Sequence, residues 1–118
     1  MDQSCPDRNT VVLRGTLSSA PVAKTLPSGT KLCQLELTTR EVAGGTHTVP
    51  VVQFDGPDST DRLSAGAQIV VTGHVRRRFF RAGGSTQSRT EVVADRVVPG
   101  SQQKKVAAAF ERALGNAL

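Results

Sequence analysis

A chain of 118 residues has room for one hydrophobic core and not for two. Trp and Tyr are absent, Phe occurs only at positions 54, 79, 80 and 110, and two cysteines are too few for a disulfide framework. The net charge of +5 is a local feature: Arg76, Arg77, Arg78, Arg81 and Arg89 share a run without Asp or Glu, while the other ten basic residues are balanced by ten acidic ones.

Residues 1–9 are polar, contain Pro6 and Cys5, and read as a flexible lead-in with a free thiol. From Thr10 the chain is rich in short β-branched runs separated by turn signals. "TVVLRGTL" (10–17) predicts the first strand, with Gly15 marking a bulge or a sharp bend. "LPSGT" (26–30) is a turn written in Pro and Gly chemistry. "KLCQLELTTR" (31–40) alternates Cys33, Leu35 and Leu37 with Gln34, Glu36 and Thr38, the pattern of a half-buried strand with a reduced core thiol. "EVAGGTH" (41–47) reads as a loop and "TVPVVQF" (48–54) as the third strand, in which Pro50 favours an edge position or a bulge. "DGPDSTDRLSAG" (55–66) has room for a helical turn or two, capped by Asp58 or Ser59 and ended by Gly66. "AQIVVTGHVRRRFF" (67–80) and "RTEVVADRVV" (89–98) are long partners across the tip "RAGGSTQS", and Pro99-Gly100 closes the β region.

Residues 101–118 change character. Val106, Phe110, Ala113 or Leu114, and Ala117 recur at helical spacing and form one apolar stripe, which must be buried on the barrel or on another subunit. The expected organisation is a flexible segment (1–9), a β domain (10–100) and a helical extension (101–118). Five strands, with a short segment after the third and a long last hairpin, predict an all-β fold: a five-stranded Greek-key barrel of the OB-fold type with a C-terminal amphipathic helix.

Enzyme chemistry finds no support. His47 and His74 lack a carboxylate pair, the cysteines form no metal-ligand spacing, and no GxSxG, HExxH or P-loop pattern occurs. The glycines of "AGGTH" and "RAGGSTQ" do not lead into helices and so do not build a phosphate cradle. No cofactor is expected. No apolar run approaches membrane-spanning or signal-peptide type, and a cytoplasmic, nucleoid-associated location is the expectation.

The basic hairpin has internal order. Adjacent strand residues point to opposite faces, so Arg76, Arg78 and Phe80 share one face, and Val75, Arg77 and Phe79 the other. An aromatic and two guanidiniums on one pleat suit a nucleic-acid base and its flanking phosphates. The ordinary alternative is Phe80 packed beneath a loop or at a subunit contact, with the arginines merely solvated.

The ordered set "NTVVLRGTL", "TLPSGTKLCQLELTT", "LSAGAQIVVTGHVRRRFF" and "RTEVVADRV" resembles bacterial single-stranded DNA-binding proteins over roughly Asn9 to Pro99. The resemblance implies an OB-fold, a homotetramer or related dimer, and sequence-tolerant binding of single-stranded DNA in replication, recombination or repair. Phe54 and Phe80 match the family's aromatics at the ends of its third and fourth strands, and Arg76 and Arg78 fall on basic positions of the latter. With Arg81, Arg89, Arg40 and Arg14 these form the candidate nucleic-acid-binding set. Two family positions that often hold Trp fall near Arg40 and Thr48, and segment 55–66 is shorter than the family's usual helix. The chain closes on "ERALGNAL" where the family has a long tail with an acidic tip that recruits repair enzymes. These departures make primosomal replication protein N, a small dimeric relative, the alternative. An OB-fold adaptor with little DNA binding is a further one.

Overall fold

The structure, a computed structural model, describes residues 6–115. The strands are β1 (Val11–Leu17), β2 (Val22–Thr25), β3 (Lys31–Arg40), β4 (Thr46–Phe54), β5 (Gln68–Ala82) and β6 (Ser85–Pro99); the helices are α1 (Asp58–Asp61) and α2 (Gln103–Leu114). The sheet order is β1-β5-β6-β4-β3-β2, and β1 also pairs with β3 through Thr16 opposite Thr38 and Leu17 opposite Leu37. That extra pairing closes five strands into a barrel and leaves β2 as a short outer strand. The pairs are antiparallel except β4 with β6, which run parallel at Val51–Val92 and Val52–Val93. This is the OB-fold expected from the sequence, with one strand more.

The barrel interior follows the alternation of the strands. Leu17, Cys33, Leu35, Leu37, Val51, Ile69, Val71 and Val92 form the core. Outside it, Val70 and Val98 face each other and are buried as well. The helix α2 folds back on β5, β6 and β1 of its own barrel. Its stripe is used unevenly: Ala109 is buried, Val106, Phe110 and Ala113 are half-buried, and Leu114 is exposed. Ala117, like Cys5 and most of the expected lead-in, lies outside the described residues. Neither described helix is long and apolar enough to cross a membrane.

Cys33 is a buried free thiol. Desolvation, with help from the nearby Asp61 carboxylate, pushes its pKa up to about 11, so at neutral pH it is protonated and a poor nucleophile. In a Cys5→Ser background, Cys33 is expected to ignore Ellman's reagent at pH 8 and to react promptly once urea unfolds the chain. Prompt reaction of the native protein would place it at the surface.

Several local expectations change. The missed strand β2 is exposed at all four positions, so it has no alternation to detect. The tip expected over 81–88 is mostly strand. Gly83 and Gly84, at φ 59° and 82°, make a two-residue turn, and pairing continues to Ala82 opposite Ser85. Positive φ at both central residues is what a type I′ hairpin requires. No bulge occurs at Gly15, where the β1–β5 register is unbroken. A Cβ there would overlap the Thr38 carbonyl oxygen, so the glycine permits the approach that closes the barrel. The irregularity lies in β6: Thr72 faces Arg96 but Gly73 faces Ala94, leaving Asp95 as the extra residue. Pro50 causes no bulge either. It faces Glu36 just before β4 begins to pair with β6, in the half of β4 that has β3 as its only neighbour. In α1 the cap is Pro57, without a side-chain cap bond, and Asp58 lies within the helix. Asp58 and Asp61 instead pair with Lys31 of β3, which holds the Asp61 carboxyl below the usual range.

Candidate nucleic-acid interface

The long β5–β6 ladder positions the candidate residues. Arg76 stands opposite Glu91, Arg78 opposite Arg89, and Phe80 opposite Gln87, all on one face. Arg76, Arg78 and Phe80 are half-buried, whereas Val75, Arg77 and Phe79 on the other face are exposed. Phe54, at the end of β4, joins the first group: the Arg76 guanidinium carbon lies 5.1 Å from its ring centroid. Arg78 stands over Phe80 in the same way, at 5.0 Å. Two rings, each faced by a guanidinium, therefore occupy one side of the barrel. Such a contact contributes about 0.5–1 kcal/mol where solvent reaches it.

The arginines converge on a residue that sequence reading passed over. Glu91 lies just past the acid-free run and is 1% exposed. Arg76 donates from Nε to Glu91 Oε2 at 2.9 Å, and Arg78 Nε donates to the same oxygen at 3.2 Å. Arg89 approaches the other oxygen at 3.8 Å, too far for a hydrogen bond, and donates to Glu36 at 3.4 Å. Oε1 of Glu91 is buried without a hydrogen-bond partner among the described residues. Burial pushes the Glu91 carboxyl up, but the hydrogen bonds and charges of Arg76 and Arg78 outweigh it and hold the group below its ordinary range. The patch is thus less positive than its arginine count, and its guanidiniums are fixed in place by a buried anion.

The remaining candidates lie apart. Arg81 is exposed near the hairpin turn and donates to the Gly84 carbonyl at 3.0 Å. Arg14 and Arg40 do not join the hairpin group. They line a separate depression of about 510 Å³ with Gly15, Thr16, Ser18, Thr38 and Gln68, where β1 meets β3. Phe79 is 66% exposed, with Arg77 at 5.4 Å from its ring centroid. Arg77 is tied in turn to Ser88 Oγ across the ladder. This third aromatic–guanidinium pair is absent from the candidate set, although alternation alone places it on the opposite face. Asn9 fixes the base of the hairpin, its amide accepting from Val75 N at 3.0 Å and donating to Val75 O at 2.6 Å.

Among the described residues, no group of three or more His, Cys, Asp or Glu side chains is placed to hold a metal ion. The model of the single-strand binding protein family matches residues 8–99, from the lead-in through the end of β6. No curated protein matches the chain.

Proposed function

The chain belongs to the single-strand binding protein family, a non-enzymatic DNA-binding family, and on that premise we propose that it holds single-stranded DNA by stacking bases on Phe54 and Phe80. Arg76, Arg78, Arg81 and Arg89 follow the phosphates, and Arg14 and Arg40 meet the strand at a second place on the barrel. The carrying observation is the shared face: both rings are half-exposed beside guanidiniums held in place by Glu91. A base on an aromatic ring contributes about 1–3 kcal/mol whatever its identity, which makes binding sequence-tolerant. We further propose a homodimer or homotetramer working in the cytoplasm in DNA replication, recombination or repair. The lack of an aromatic at Arg40 and Thr48 keeps a primosomal replication protein N-like role as the alternative.

Fluorescence anisotropy of labelled oligo-dT at low and near-physiological salt, with duplex competitor, tests this. The expected result is a preference for single strands that survives the higher salt, with a log–log salt slope of about 0.7 per phosphate contact. Weak binding that vanishes with salt and treats duplex equally would overturn stacking and leave an OB-fold adaptor with a basic edge.

A further inference from the structure

Resting on that reading, we infer that the strand continues from the hairpin onto a basic groove between α2 and the bulged part of β6, where Arg96, Lys105 and Arg112 hold its phosphates. On β5, Thr72, His74 and Arg76 project from one face at two-residue intervals, and the bulge at Asp95 brings Arg96 opposite Thr72 on that same face. From Arg76 to the level of Arg96 is four residues, or about 13 Å along the strand. A depression of about 370 Å³ lined by His74, Arg96 and Arg112 joins this level to α2. Beyond it, a groove of about 870 Å³ runs between β6 and α2 and includes Arg96, Lys105 and Arg112. Lys105 and Arg112 are seven residues apart, two helical turns, which spaces them about 10.5 Å along one side of α2.

The electrostatics of this groove differ from those of the hairpin. Arg76, Arg78 and Arg89 share carboxylates, whereas Arg96, Lys105 and Arg112 are exposed and form no ion pair with another described residue. Asp95 is the one carboxylate lining the groove, so three cations face one anion. Three cations facing one anion in a concave channel leave a net positive charge that attracts a phosphate chain. The groove therefore supplies charge where the hairpin supplies stacking, and it lengthens the strand that one subunit covers.

The test compares wild type with Lys105→Ala/Arg112→Ala, and with Arg96→Ala added. All three side chains are exposed, and thermal melting checks that the barrel is intact. Oligo-dT lengths are taken from the two ends of the about 4–16 nucleotides that an OB-fold covers. On the long strand the double variant is expected to lose about 1.4 from the salt slope, and the triple variant about 2.1, at about 0.7 per contact. On the short strand, seated on the rings, affinity stays within about twofold of wild type. Equal slopes for all three proteins on the long strand, with wild type binding it tightly, would overturn the groove and leave the single-strand reading standing. Failure of wild type to bind either length would instead remove the reading on which the groove rests.

Discussion

Phe80→Ala is expected to weaken oligo-dT binding about tenfold at near-physiological salt, while Phe79→Ala changes it less than about threefold. The two residues are adjacent, equal in size and both on β5, so the comparison isolates the face they occupy. Phe80 shares its side with Arg76, Arg78 and Phe54, and Phe79 points away with Arg77. Truncating a stacking aromatic costs about 1–3 kcal/mol per base, and tenfold corresponds to about 1.4. The value falls toward the low end because the Arg78 guanidinium, held by Glu91, already covers part of the ring and leaves the base the remainder. Anisotropy titrations at fixed salt, paired with melting curves, read the result. Similar losses for both variants, or none for Phe80→Ala, would remove stacking on this face.

The double variant Arg76→Ala/Arg78→Ala is expected to lose about 3 kcal/mol of folding stability, because it strips a buried carboxylate of its partners. Arg89 at 3.8 Å is then the nearest remaining cation in the cluster. Adding Glu91→Gln to the same chain should return most of that stability, since the amide carries no charge to desolvate. Urea denaturation of the three variants measures this, and an unchanged midpoint in the double variant would mean that solvent reaches Glu91. Binding losses caused by these arginines therefore have to be read in the Glu91→Gln background. Acid sensitivity provides a separate readout. The folded-state pKa of Glu91 lies below its ordinary 4.5. Its contribution is thus present in full above 4.5 and is lost as pH falls through the lower, folded value. Stability of the wild type should drop more steeply on acidification below about pH 4.5 than that of Glu91→Gln.

What the sequence revealed, and what it hid, divides along the range of the interactions. Period-two alternation identified β3 and placed Cys33, Leu35 and Leu37 inside, because burial on one face writes itself into neighbouring letters. The same rule separated Phe79 from Phe80 and grouped Arg76, Arg78 and Phe80. β2 left no such signal, since none of its residues is buried. Ser85, Thr86 and Ser88 look like loop residues and suggest a longer tip, whereas the two glycines complete the turn by themselves. Glu91 was legible as a strand residue but not as the anion beneath three arginines. Its burial depends on the β5–β6 register and on the cover of neighbouring strands. Arg14 and Arg40 were grouped with the hairpin by chemistry, while strand order carries them to the β1–β3 seam.

The two-residue turn at Gly83 and Gly84 also decides which changes in length the hairpin can absorb. With no spare residue in the turn, pairing runs rung by rung from Ala82–Ser85 down to Arg76–Glu91. Inserting or deleting one residue in β5 between the bulge and the turn would exchange the faces of every side chain beyond it. After an insertion Phe79 would stand where Phe80 now does, and Arg77 would meet the carboxylate. A two-residue change would preserve the faces and slide the cations along the ladder by one repeat. The turn at Glu41–Gly45, solvent-exposed throughout, carries no such constraint, so divergence in chain length belongs there, and the hairpin can diverge chiefly by substitution.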